Sequence, residues 1–517
     1  MKKTIFFAIL ILFANTTVLF AADMQVSTIR IGLESRYLNA WSVVIPNSSL
    51  TVGTPLGYGF VAPAHITGQN FRVLVDNNYY LQTDTVFEDF HTAVAAIEGF
   101  TNRFVGVDGN GFSVIVGPFT TASAARDQAA QLSYSVIYAS NTRVMLMDGQ
   151  TPVLKSAGPL HFTDTYGQFM QIGGRSYRGI IELGRHTGQG ITPVNIVDIE
   201  EYLFSVVPSE MPALWHIEAL KAQAVAARSF THYRRGSHSH LGYELCDTIF
   251  SQVYAGTENE HDNSTRAVQE TQGVKIFHGG NVILATYFSS SGGVTENSEN
   301  VWLEALPYLR SVADNYEVGG MVWERRFTLT QLTNLASSFG IGTVNSVTIT
   351  HTPAGRVSSL ILNGSSGRHY VEREHIRTFF APTADGSLPS RNFTMTGTQT
   401  TGQTAPQSTL DTVVIAENDN TTLHADPNTL FAIGAYGARS YIDANVVIAG
   451  ATTTIGIQPQ PESITQSTTY AIVFTGRGWG HGVGMSQFGA NSMALLGFDH
   501  IQILQHYYSG VEVRRDN

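Results

Sequence analysis

A single cysteine, Cys246, stands among 517 residues, so the chain cannot form an internal disulfide and its stability has to come from hydrophobic cores. Basic residues are also scarce. Lys and Arg number 30 against 41 Asp and Glu, a net charge of −11, and no basic run exceeds two residues. Nucleic-acid binding needs a concentrated basic surface, so no nucleic acid is expected as a partner. After the N-terminus nothing approaches the roughly 18 consecutive apolar residues of a membrane span. Phosphate-binding frames are missing as well: no G-x-G-x-x-G fits the glycine-rich stretch "GRGWGHGVGMSQFGA" at 476–490, and no G-K-[ST] follows it. The chain has no internal repeat of fixed period.

What is present is ordinary globular material, 43% hydrophobic, long enough at about 150 residues per domain for two to four domains. Residues 1–22 read as an export signal. Met1-Lys2-Lys3 precedes the apolar block Ile5 to Ala14, and Ala21-Ala22 stands before Asp23. A large residue three positions before the cut leaves an uncleaved anchor as the alternative. The expected location is outside the inner membrane, in the periplasm or cell envelope.

Residues 23–66 alternate apolar and polar residues, as in "TIRIGLESRYLNAWSVVI", and predict short strands. From 67 to 140 the pattern is strand, helix, strand, helix: "FRVLVD" and "FSVIVGPF" against "FEDFHTAVAAIEGF" and "SAARDQAAQLS". That predicts a small α+β, ferredoxin-like inserted module. Strand signals resume at 158–197, followed by the longest helical pattern, "EALKAQAVAARSFTHYRR", with Pro212 marking the turn before it. Arg228 in its middle is anomalous, because buried guanidinium groups need partners. Residues 344–380 repeat strand, turn, strand, helix. "TGTQTTGQTAPQST" at 396–409 reads as a linker or long loop, opening a segment, 395–470, of further strands. The fold class expected is α+β, multi-domain, with mixed sheets around a central alanine-rich helix.

Several stretches carry chemistry. In "EEYLFSVVPSEMPALW" Glu210 lies between Val206-Val207-Pro208 and Met211-Pro212, read as a strand-to-helix turn. An acid in apolar surroundings has its pKa raised, which suits a general acid near neutral pH; a helix-start cap is the alternative. Glu200 and Glu201 read as solvated. In "HSHLGYELCDTIFSQVY", His238, His240 and Cys246 are three candidate zinc ligands without a fourth, against two surface histidines and a buried thiol. Gln252 and Tyr254 alternate toward one face of a predicted strand. "YFSSSGGVTENSENVWLEALPYL" supplies Ser289, Ser291, Glu296 and Trp302. It lacks a G-x-S-x-G elbow, so an acyl-transfer serine is disfavoured, while hydroxyls beside a flat ring suit a sugar-binding wall or else an ordinary turn. Taken as extended, the run 476–484 leaves one face of bare backbone, open to a ligand or a neighbouring strand, or else it is a glycine-rich loop packed in place.

"EYLFSVVPSEMPALWHIEALKAQAVAARSF", "ATYFSSSGGVTENSENVW" and "GRGWGHGVGMSQFGANSMALLGFDHIQILQHYYSGV" occur in the order of the stage II sporulation protein D family, the SpoIID/LytB domain, which this chain resembles over about 155–394 and 471–513, with the strands at 28–61 similar to the family's opening. The inserted module is similar to the sporulation-related (SPOR) repeat that binds peptidoglycan. The resemblance implies a lytic transglycosylase acting on peptidoglycan glycan strands stripped of stem peptides, with Glu210 as the catalytic acid and a 1,6-anhydro product. Spacing and family position together nominate Arg228, Gln252, Tyr254, Ser289, Ser291, Glu296, His481, Ser486 and Gln487 as substrate-binding residues. Zinc-binding members carry a His-Cys pair where this chain has Phe250-Ser251, so no metal is expected, and no cofactor. The alternative is a non-catalytic module that grips glycan and recruits or activates an amidase.

Overall fold

The structure, a computed structural model, describes residues 28–56, 59–108, 111–132, 134–318, 320–400, 413–416, 422–425, 431–433, 439–441 and 469–515. The export segment and most of 395–470 lie outside the described residues. Two compact units make up the described chain, the first formed by residues up to 287 with 307–310 and 484–515, the second by 288–306 and 311–483. Both mix helix and strand, an α+β architecture.

Two large sheets dominate the first unit. One has seven strands in the order Leu245–Cys246, Thr28–Gly32, Thr192–Asp198, Ile180–Gly184, Leu160–Asp164, Ser49–Leu56 and Gly59–Thr67. It is antiparallel except where Ile31 and Gly32 run parallel to Leu245 and Cys246. The alternation that predicted Thr28–Gly32 is physical: Ile29 and Ile31 point into the core at 0% exposure while Arg30 reaches the opposite side. The second sheet has eight strands, Ser42–Ile45, Phe71–Val75, Val144–Asp148, Thr151–Ser156, Arg103–Asp108, Gly111–Phe119, Tyr79–Phe87 and Ser135–Ile137. Strands from either side of 67–140 thus join one sheet with those inside it. Helix Phe90–Ala95 falls within the first predicted helical stretch, and helix Ala122–Leu132 begins one residue before the second and ends one residue before its end.

Helix Ile217–Arg234 is the hub of this unit. Helices Ile199–Glu210, Asp262–Glu270, Gln487–Leu495 and His500–Tyr507 all pack on it. Ala219, Ala222, Ala224, Ala226 and Ala227 are fully buried, and methyl side chains on so many faces let four helices approach one axis.

The second unit pairs strand Thr469–Arg477 with Val322–Thr328 on one side and Phe393–Thr400 on the other, both antiparallel. The expected linker therefore begins later than 396, because Thr396–Thr400 continue a strand whose threonines suit a pleated surface. A meander, Val344–His351, Val357–Gly364 and Arg368–Glu372, leads into the short helix His375–Thr378. Phe327, Phe380, Phe393 and Phe474 form the centre of its core.

The glycine run is not an extended strand with a bare face. The strand ends at Arg477, and Gly478, Gly480, Gly482 and Gly484 take φ values of 77, 109, 88 and 83°, the left-handed region closed to most L side chains. Their missing Cβ atoms are needed twice over. In the second unit a Cβ on Gly482 would lie 2.5 Å from Cζ of Arg356, and in the first a Cβ on Gly484 would lie 2.0 Å from the Thr286 carbonyl oxygen. What approaches the bare backbone here is the protein itself.

Candidate active site

Glu210 is the last residue of helix Ile199–Glu210, not the turn between a strand and a helix. The helix stops there because Met211 precedes Pro212, and a residue before proline is driven out of the helical region; Met211 has φ −128° and ψ 136°. The carboxyl is thereby fixed at the negative end of the helix dipole, which disfavours its anion. Burial does the same, pushing its pKa from an ordinary 4.5 to about 7, opposed by a hydrogen bond from the Val253 N–H at 2.9 Å. The carboxyl is desolvated, while the residue as a whole keeps partial exposure.

The Val253 N–H is held in place by its neighbours. Gln252 is 1% exposed, and its amide nitrogen donates to the Thr231 hydroxyl at 2.8 Å and the Tyr202 hydroxyl at 3.3 Å, while its oxygen accepts from the Tyr287 hydroxyl at 2.8 Å. Tyr254 is 2% exposed, donates to Asn195 Oδ1 at 2.7 Å, and packs its ring 5.0 Å from that of Tyr202. Neither residue lies in a strand; residues 252–255 run along the helix that bears Glu210, with Ala255 N–H bonded to Ser205 Oγ at 3.2 Å. The alternation of Gln252 and Tyr254 marks burial of both, and their polar atoms are spent on protein. Tyr202 and Tyr287, which the sequence did not single out, complete the network. Both stay protonated, with burial pushing their hydroxyls far above the usual tyrosine range and the Glu210 charge contributing.

Arg228 also belongs to the core. At 1% exposure its guanidinium forms a bidentate pair with Glu200, Nε to Oε1 at 2.8 Å and Nη2 to Oε2 at 2.6 Å, and donates to the Val274 and Val268 carbonyls. Glu200, expected in solvent, is therefore a structural partner across two helices, and Arg228 does not line a groove. Ser486 and Gln487 are buried too. The Ser486 hydroxyl caps helix Gln487–Leu495 by accepting from Gly489 N–H, and Gln487 Nε2 donates to Gln223 Oε1 at 3.4 Å.

In the second unit Ser289 and His481 keep partial exposure. His481 packs 4.8 Å from the ring of Trp302 and 5.4 Å from that of Phe288, and its Nδ1 accepts the Val483 N–H, which leaves the proton of a neutral ring on Nε2. Glu296 is fully buried and accepts from Asn297 N–H, Asn300 Nδ2 and the Thr352 hydroxyl. All three contacts are made with the protein's own chain. Ser291, also fully buried, holds Glu317 together with Ser290. Glu317 follows 26 residues after Ser291, and no motif in "NYEVGG" marks it.

Cys246 Sγ lies 3.2 Å from Thr248 Oγ1 and 3.5 Å from Ser251 Oγ, and the His238 ring stacks on Tyr243. Among the described residues no three His, Cys, Asp or Glu side chains gather to hold a metal ion. No helix among them is long and apolar enough to cross a membrane.

Residues 187–278, which contain Glu210, the alanine-rich helix and Gln252, match the family described as Stage II sporulation protein, SpoIID. The chain is 29% identical over 310 residues to the amidase enhancer of Bacillus subtilis (strain 168), covering 60% of this chain and 39% of that relative. It is 28% identical over 342 residues to Stage II sporulation protein D of the same organism, covering 62% of this chain and 75% of the relative. The protein of that name from Bacillus amyloliquefaciens is 28% identical over 341 residues, with 62% and 75% covered. Through residues 187–278, which include the hub helix, the chain is similar to the Stage II sporulation protein (SpoIID) family, and it spans 39% of the amidase enhancer and 75% of the sporulation proteins that it matches.

Proposed function

We propose that the protein cleaves peptidoglycan glycan strands as a lytic transglycosylase, with Glu210 as general acid and then general base and peptide-free glycan as substrate. The observation that carries this reading is the Glu210 carboxyl: desolvated at a helix end, its pKa pushed up to about 7, on a residue that keeps partial exposure. A protonated Glu210 gives its proton to the glycosidic oxygen as the C1–O bond breaks. The carboxylate left behind takes the proton of the sugar's own 6-hydroxyl as that oxygen bonds to C1, so the ring closes to a 1,6-anhydro end and Glu210 is reprotonated. Hydrolysis would instead want a second carboxylate about 5 to 9.5 Å away. Burial and the Val253 N–H are the two causes of the Glu210 shift, with no neighbouring acid among them, and Glu296 is enclosed. A single-carboxylate scheme suits such a site. We assign the 67–140 stretch to glycan binding and the protein to the cell envelope.

Digestion of purified peptide-free glycan should yield 1,6-anhydro ends detectable by mass spectrometry. Glu210→Gln should lower their rate by about a thousandfold, within the range ascribed to general acid–base catalysis. Undiminished products in the variant would remove Glu210 from the mechanism. The name of the Bacillus subtilis relative, amidase enhancer, favours a second reading in which the protein grips glycan and activates an amidase. Binding without any anhydro product would support that reading instead.

A further inference from the structure

The serine–glycine stretch at 290–292 forms a carboxylate pocket, and the chain's own Glu317 fills it. One Glu317 oxygen accepts the Ser291 N–H at 2.6 Å, the Ser291 hydroxyl at 2.5 Å and the Gly292 N–H at 3.2 Å; the other accepts the Ser290 hydroxyl. The donors converge because Gly292 and Gly293 take φ values of 66 and 103°, the type of backbone turn that makes an anion-binding concavity. Ser290 and Ser291 are 1% and 0% exposed, whereas Glu317 is partly exposed and its neighbour Val318 is 78% exposed. The hole therefore opens to solvent through Glu317. Buried donors need an acceptor, and a carboxylate supplies the strongest one.

The surroundings suit a sugar. Ser290 and Trp479 exchange backbone hydrogen bonds at 3.1 and 2.8 Å, so an indole that is 48% exposed belongs to the residue directly paired with the pocket. A partly exposed tryptophan on the residue paired with Ser290 suits a pyranose that carries an acid, the ring offering a stacking face and the hole taking the acid. The geometry points to the Ser290–Gly292 pocket as the binding site for the free lactyl carboxylate of a peptide-free muramyl residue, which displaces Glu317. One carboxylate replaces another, so the charge in the hole is unchanged and its four hydrogen bonds are remade. A stem peptide converts that acid to an amide, which has one acceptor oxygen and a donor of its own. The pocket thus selects glycan without peptides. This inference rests on the glycan reading above, and binding rather than cleavage tests it.

Calorimetry in the Glu210→Gln background, with three glycans of equal length, separates the possibilities: peptide-free strands, peptide-bearing strands, and N-acetylglucosamine oligomers lacking the lactyl group. Peptide-free glycan should bind about tenfold tighter than the other two, the scale of one lost charge-assisted hydrogen bond. Glu317→Gln, whose amide fits the donors poorly, should tighten binding of peptide-free glycan several-fold and leave the other ligands unchanged, while Ser291→Ala should erase the preference. Equal affinity of the unaltered pocket for all three would overturn the inference and leave the glycan reading standing. Binding to none would overturn both.

Discussion

Glu210 is an acid whose environment works against its charge, and that has a thermodynamic consequence apart from catalysis. Between its ordinary pKa of 4.5 and its raised value of about 7, the folded protein holds a proton that the unfolded chain has released. Stability attributable to this group therefore falls as pH rises through that window and levels off above it. Glu210→Gln removes the titration. Relative to the unmodified protein, the variant should gain about 3 kcal/mol at pH 8 compared with pH 4.5, as read from urea denaturation at the two values. Parallel behaviour at both pH values would mean that the carboxyl is solvated. At this scale the sequence was informative about Glu210, whose flanking Val206, Val207, Met211 and Pro212 announce an apolar niche. It was silent about Glu200, because nothing local tells that an acid in the first turn of a helix will meet Arg228 from another.

Elements explain what single residues do not. Helix Ile199–Glu210 supplies the acid, and residues 252–255 lie along it, anchored through Gln252 to Thr231, Tyr202 and Tyr287 from three other segments. Gln252 acts on Glu210 through the next residue's N–H, which makes it a positioning residue. Gln252→Ala should slow glycan cleavage about tenfold or more. It should also move the alkaline limb of the rate–pH profile upward, since losing the Val253 hydrogen bond removes the one interaction that favours the Glu210 anion. A slower enzyme with an unmoved profile would assign Gln252 a packing role alone. Period-two alternation suggested a strand at Gln252 and Tyr254, and burial of both side chains without sheet pairing produces the same pattern. The glycine run is a similar case: alternate glycines marked a special backbone, but left-handed φ values and an extended strand leave the same trace in sequence.

For the whole molecule the net charge of −11 predicts how glycan meets the protein. Peptide-free glycan is itself polyanionic through its lactyl groups, so long-range forces oppose encounter and attraction is confined to contact. Raising ionic strength from about 0.01 to about 0.15 M, which shortens the screening length from about 30 to about 8 Å, should preserve or strengthen binding. A tenfold weakening in a sedimentation assay over that range would point to a basic patch as the binding surface.

By itself the sequence determined the alternating strands of the first unit, the alanine-rich hub, the order of the signature stretches and an acid between apolar neighbours. These are properties of residues near one another in the chain, and periodicity, side-chain volume and flanking hydrophobicity record them directly. Tertiary structure alone decided that Arg228, Gln252, Tyr254, Ser291 and Glu296 face inward, that Glu200 and Glu317 neutralise buried donors, and that the glycines pack against the chain itself. Whether a polar side chain meets water, ligand or protein depends on partners tens to hundreds of residues away, and hydrogen-bonding capacity is the same in each case.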